Sequence, residues 1–184
     1  MKRTAWAAVA VLLLASAPAR AAQTGDAFDA WTARCEGQGV AQTCEIFQRL
    51  MQAQSGMRVM EFALGYPKQE EVAANGKKPK VIAPASKAIM TAADIPARGV
   101  IVLPLGIMLP DGVRLAIDGK QHFPFEVRYC TADGCYAYIN LPGGVVDQMK
   151  RAMKVEILFR TLEKKDMRLP VDMKGLGAGL QAVR

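Results

Sequence analysis

Between Cys130 and Cys135 the chain reads Thr131-Ala132-Asp133-Gly134, and the residues on both sides alternate in polarity. Asp-Gly in so short a connection favours a tight hairpin, because its backbone twist matches that of two paired strands. The turn sets the two sulfurs opposite each other on adjoining strands, within bridging distance. The same period of two recurs elsewhere. Trp31, Ala33 and Cys35 share one face of a segment, and Met60, Phe62 and Leu64 line another. Val113, Leu115 and Ile117 alternate with Arg114, Ala116 and Asp118. Phe123, Phe125, Val127 and Tyr129 alternate with Pro124, Glu126, Arg128 and Cys130, and Val155, Ile157 and Phe159 with Lys154, Glu156, Leu158 and Arg160. Side chains two apart point to one side of a strand, so the pattern predicts antiparallel β architecture.

The register across the hairpin follows from the cysteines. Cys130 facing Cys135 pairs Tyr129 with Tyr136 and Val127 with Tyr138. We expect this aromatic face to be the buried one, and the cysteine face, which carries Glu126 and Arg128, to lie toward solvent. On this reading Phe125 is a core residue, and Phe125→Ala costs about 3 to 5 kcal/mol.

The chain has four cysteines, Cys35, Cys44, Cys130 and Cys135. Four cysteines allow three connectivities, and the spacing selects Cys35 with Cys44 and Cys130 with Cys135. Loops this short are worth roughly 2 to 3 kcal/mol each in the chain-entropy account. The spacings C-x8-C and C-x4-C lack the tight pairs of common zinc frameworks, and no C-x-x-C offers an activated thiol. No metal and no cofactor is expected.

Disulfides fit an exported protein, and the N-terminus supports export. Lys2 and Arg3 precede an apolar run from Ala5 to Ala17, too short to span a bilayer, and Ala19-Arg20-Ala21 supplies a small-x-small cleavage site. Residues 1–21 are predicted to be a signal peptide cleaved after Ala21, leaving one domain over 22–184 in the periplasm or the medium. No transmembrane span is expected. Losing Lys2, Arg3 and Arg20 lowers the formal net charge from +7 to +4. The remaining basic residues include Lys77, Lys78 and Lys80, and Lys150, Arg151 and Lys154. No nucleic-acid motif or aromatic platform accompanies them, so nucleic acid is not expected as a partner. The first cluster is a candidate partner-binding loop for a protein or envelope polymer. It lies in a Pro-bearing connection from Gly65 to Gly99 that holds at most one strand, Ala88 to Ala92. One short helix is predicted after Pro142, with Val145 or Val146, Met149 and Met153 on its packed face and Lys150 and Arg151 at its end.

Catalytic signatures are lacking. His122 is the single histidine, and the serines beyond the leader, Ser55 and Ser86, lie in neither a G-x-S-x-G elbow nor an S-x-x-K motif. Gly175-Leu176-Gly177-Ala178-Gly179 has no following βαβ unit for a nucleotide loop, and reads as a flexible end.

Several of these residues, taken in order, carry a resemblance. Trp31 and Cys35, then Cys44-Glu45-Ile46-Phe47-Gln48, Leu103-Pro104-Leu105-Gly106, Gly112, Pro124-Phe125, Cys130 and Gly134-Cys135 resemble the invasion-associated locus B family over nearly the whole chain beyond the leader. The helix after Cys135 and a late strand near Leu169 to Met173 fit as well. Gly175-Leu176 departs from the pattern, which carries an aromatic after the glycine. The resemblance implies an all-β, immunoglobulin-like antiparallel β-sandwich, exported by a bacterium and associated in pathogens with entry into host cells. It implies no catalytic residues. The expectation is therefore a non-enzymatic binding module of the cell envelope, with a periplasmic chaperone or assembly factor as the alternative and a hydrolase or redox enzyme behind both.

Overall fold

The computed structural model describes residues 21–39, 42–67 and 95–184. Among them eleven strands form two sheets in which every pairing is antiparallel. The strands are β1 (Ala27–Phe28), β2 (Trp31–Glu36), β3 (Thr43–Met51), β4 (Arg58–Gly65), β5 (Ala97–Leu103), β6 (Val113–Ile117), β7 (Gln121–Phe125), β8 (Val127–Thr131), β9 (Gly134–Leu141), β10 (Val155–Arg160) and β11 (Asp166–Val171). The larger sheet has the order β1-β2-β3-β4-β5-β9-β8, and the smaller one β11-β10-β6-β7. They make a sandwich around a single apolar core, into which Trp31, Phe62, Ile101, Leu115 and Ile157 are fully buried. Trp31 meets Phe62 edge to face at 5.6 Å. Its Nε1 donates to the Asp172 carbonyl at 3.0 Å, tying the second strand to the end of β11. The period-two segments of β2, β4, β6 and β10 are thus strands with their apolar positions inward.

The hairpin of β8 and β9 reverses one expectation. Cys130 pairs with Cys135 and Tyr129 with Tyr136, but Val127 faces Ala137 instead of Tyr138. An extra residue, Arg128, bulges from β8, and a bulge of one residue inverts the phase of a strand. Tyr129 is therefore turned outward, while Val127 stays against the core. On β9 the buried face is Cys135, Ala137, Ile139 and Leu141, opposite Leu103, Ile101, Gly99 and Ala97 of β5. Small and aliphatic groups fill the space between the sheets, whereas a buried phenol needs a hydrogen-bond partner there. The aromatic face is the solvent-facing one. The continuous alternation from Phe123 to Tyr129 also crosses between sheets, since β7 pairs with β6 and β8 with β9. Phe125 lies on an edge strand and is half-buried, so its truncation costs less than a core phenylalanine would.

Two α-helices, one more than expected, and a single 3-10 turn at Leu109–Asp111 complete the described fold. The first, α1 (Gly143–Arg151), follows Pro142 and buries Val145, Val146 and Met149, with Lys150 and Arg151 in its last turn. Met153 falls beyond its end and is 95% exposed. The Asp118 carboxylate accepts the N–H groups of Met153 and Lys154 and holds that corner. The second helix, α2 (Leu176–Ala182), occupies the glycine-rich segment expected to be a flexible end. Leu176 and Leu180 are buried, and the helix packs against β1, β2 and β3. Gly175 has φ +80°, and a Cβ there would lie 1.9 Å from the Phe28 carbonyl oxygen. A Cβ at Gly179 would meet Ile46 at 3.0 Å, so its glycine lets the helix seat closely on the sheet. Ala22 is buried beside it, its N–H donating to the Ala182 carbonyl at 3.3 Å.

Candidate binding surface

The outer face of the larger sheet is built by register. One cross-strand row runs Arg49, Glu61, Val102, Tyr136 and Tyr129 over β3, β4, β5, β9 and β8. A second, beside it, runs Phe47, Ala63, Val100 and Tyr138. Tyr129 and Tyr136 stack with centroids 5.0 Å apart, and the Tyr129 and Tyr138 hydroxyls lie 3.1 Å from each other. Tyr129 is 47% and Tyr138 53% exposed. The hydrogen bond to Tyr138 raises the pKa of Tyr129 above that of a free phenol. The Cys130–Cys135 bridge closes the hairpin directly beside them.

At the other end of these rows lies an arginine cluster around one buried carboxylate. Glu61 accepts from Arg34 Nη1 at 3.0 Å, Arg49 Nε at 2.6 Å and Arg58 Nη1 at 3.4 Å. Burial alone would push its carboxyl up, but the hydrogen bonds from Arg49 and Arg34 outweigh it and hold the pKa below the usual carboxylate value. Burial acts to lower the pKa of Arg34, and its contacts with Glu45 and Glu61 reverse this, so it stays charged. The guanidinium carbons of Arg34 and Arg49 stand 4.9 and 4.7 Å from the Phe47 ring centroid, in cation–π range. Arg58 also donates to the Asp133 carbonyl at 2.6 Å, joining the cluster to the disulfide hairpin. Tyrosine and arginine are both enriched in binding hot spots: tyrosine gives a large rigid contact area for two side-chain torsions, and arginine a planar fork of five N–H donors.

The other residues singled out in the sequence do not converge. Cys35 is joined to Cys44 across β2 and β3, and Cys130 to Cys135 across β8 and β9. Lys77, Lys78 and Lys80, Ser86 and the segment Ala88 to Ala92 lie outside the described residues. Gly65 and Ala97, which bound that connection, stand at the Cys35–Cys44 end of the larger sheet. His122 is exposed on β7, an edge strand of the smaller sheet, and Ser55 is in the β3–β4 turn, bonded to Gln52. No three His, Cys, Asp or Glu side chains among the described residues come together as metal ligands. No helix among them is long and apolar enough to cross a membrane. A shallow cleft of about 710 Å³, with Leu50, Met153 and Met173 in its lining, brings together no catalytic constellation. The tyrosine face was missed because the period of two tells which residues share a face and not which face is wet.

Fold and surface together define a class: a disulfide-closed, two-sheet β protein that displays a tyrosine- and arginine-bearing sheet face. The sequence profile of the invasion-associated locus B (IalB) family matches residues 71–184, and the chain belongs to that family. It is 23% identical over 171 residues to the invasion protein B homologs of two strains of Brucella abortus, covering 92% of this chain and 84% of theirs. The crystal structure of invasion associated protein B from Bartonella henselae shares the fold, with a TM-score of 0.65 at 17% identity over 86% of this chain and 92% of that one.

Proposed function

We propose that the protein is exported, is processed after Ala21, and works as a non-enzymatic binding module of the bacterial envelope whose contact surface is the outer face of the larger sheet. The observation that carries this is the tyrosine trio, Tyr129, Tyr136 and Tyr138, held on a disulfide-closed hairpin with two of its rings half-exposed. A half-exposed tyrosine contributes little to the fold and much to association, because contact with a partner removes its remaining apolar area from water. Membership of the IalB family, and the names of the Brucella and Bartonella relatives as invasion proteins, support linking such a contact with invasion.

The test is photocrosslinking in intact cells, with a photoreactive residue at position 138 and, as control, at position 122 on the smaller sheet. We expect a discrete protein adduct from position 138 that is absent from 122 and lost in the Tyr129→Ser, Tyr136→Ser chain. Adducts with host surface proteins specify invasion, and adducts with outer-membrane proteins specify envelope assembly. Equal labelling from both positions, or an adduct indifferent to the tyrosines, overturns this surface.

A further inference from the structure

The first residues after Ala21 are fastened to the fold. Ala22 is 4% exposed, and its N–H donates to the Ala182 carbonyl at 3.3 Å. The Gln23 N–H donates to Asp26 Oδ2 at 2.8 Å. Thr24 Oγ1 accepts the Cys35 N–H at 2.9 Å and donates to the Cys35 carbonyl at 3.1 Å. The Gly25 N–H donates to the Ala33 carbonyl at 2.9 Å, and the Ala33 N–H to the Asp26 carbonyl at 2.8 Å. Residues 22–26 thus run as a clasp along β2 that ends on the last turn of α2. Ala21, just ahead of the clasp, is exposed.

The end of α2 lacks a cation of its own. The last carbonyls of a helix have no partner within it, and they carry the negative end of its dipole. No basic residue lies in the last turn of α2. Arg184, just beyond it, is placed over the Tyr66 ring, 5.0 Å from the centroid. The Ala182 carbonyl is met by the Ala22 nitrogen, and the Asp26 carboxylate takes the next N–H along the clasp. Hydrolysis of the Ala21–Ala22 amide adds one water, leaving a carboxylate on the departing leader and an α-amine on Ala22 that is mostly protonated at neutral pH. A neutral donor at the helix end becomes a cation, and the loss of Ala21 lets water reach the side from which the chain had entered.

We propose that cleavage after Ala21 is itself a stabilising step: the new ammonium of Ala22 caps the C-terminal carbonyl end of α2 and locks that helix to the larger sheet. The precursor has only an amide there, so its last helix is held less firmly until the leader departs. This lock rests on the processing proposed above and is independent of the tyrosine surface.

The experiment compares three chains. The first is exported protein, with its N-terminus read by intact mass. The second is the same protein acetylated on its α-amine at about pH 6.5, where that amine reacts ahead of the lysine side chains. The third is exported protein with Gly-Ser inserted between Ala21 and Ala22, which moves the ammonium away from the helix and keeps the Ala22 N–H. We expect both altered chains to melt about 2 to 4 °C below the first, and their α2 amides to exchange about fivefold faster, the size of one favourable charge at a helix end. The differences should shrink in about 1 M salt, where the screening length is only about 3 Å. An acetylated chain that matches the first in melting and exchange overturns the lock, even where the extended chain melts lower, because length and not charge then accounts for the loss. Intact mass reads the processing separately. An exported chain that begins elsewhere than Ala22 overturns the processing and the lock together, whereas an Ala22 terminus with an unaffected acetylated chain overturns the lock alone.

Discussion

Glu61→Gln is the perturbation that most directly probes how the outer sheet face is held. Its side chain is only 4% exposed and is touched by three guanidinium groups, from Arg34, Arg49 and Arg58. Glutamine keeps the shape but removes the charge, and turns an amide NH2 toward donors that need an acceptor. Breaking a fully buried ion pair in this way costs about 3 to 5 kcal/mol. The three arginines keep between 29% and 46% of their side-chain surface in water, so solvent takes up part of their loss and screens the pairs. We therefore expect about 2 kcal/mol, or a fall in Tm of about 4 to 8 °C for a chain of this length. The pH dependence carries the sharper signature. The pKa of Glu61 is lower in the folded chain than in the unfolded one, so its stabilisation is complete above the ordinary carboxylate value and is lost as pH falls through the folded-state value. Glutamine does not titrate, so the gap between wild type and variant narrows in that window. Urea unfolding of both chains at about pH 7 and at about pH 3 measures it. A gap that is absent at the higher pH, or undiminished at the lower, refutes the charge-cluster account.

Further outcomes follow from packing. Gly175→Ala places a methyl group on the Phe28 carbonyl at a left-handed φ, and should lower stability by about 2 kcal/mol or more in calorimetry, with α2 losing its amide-exchange protection first. Phe125→Ala should cost roughly half the core figure, about 1.5 to 2.5 kcal/mol by chemical unfolding, because only part of its ring leaves contact with the core. Peptide mapping without reductant should recover Cys35 with Cys44 and Cys130 with Cys135, and intact mass of the exported chain should begin at Ala22; crossed bridges or a retained leader contradict these readings.

What could be read from the residues alone was whatever depends on near neighbours in the chain. The period of two marks strands because alternate side chains must part to opposite faces, and Asp133-Gly134 between two cysteines marks a hairpin because a tight turn needs that backbone. Both disulfides close loops short enough that spacing selects the partner. The inward positions of β2, β4, β6 and β10 were legible because each strand alternates one plainly apolar face; that Glu61 and Ala63 of β4 and Glu156 and Leu158 of β10, on the opposite faces, are buried as well was decided by the tertiary structure. On β8 and β9 both faces are apolar enough to bury, and there the choice passed to the tertiary structure. The bulge at Arg128 inverts the phase, and β9 offers its aliphatic side to the second sheet because phenol hydroxyls are more stable in water than unpaired in the core. The glycines of Gly175–Gly179 look like a loop by propensity, yet become a helix because burying Leu176 and Leu180 against β1 to β3 outweighs the intrinsic cost of glycine, and because only glycine lets the backbones come so close. The Glu61 cluster was hidden for another reason. Arg34, Arg49 and Arg58 come from three strands, and only the register of β2, β3 and β4 sets them around one carboxylate.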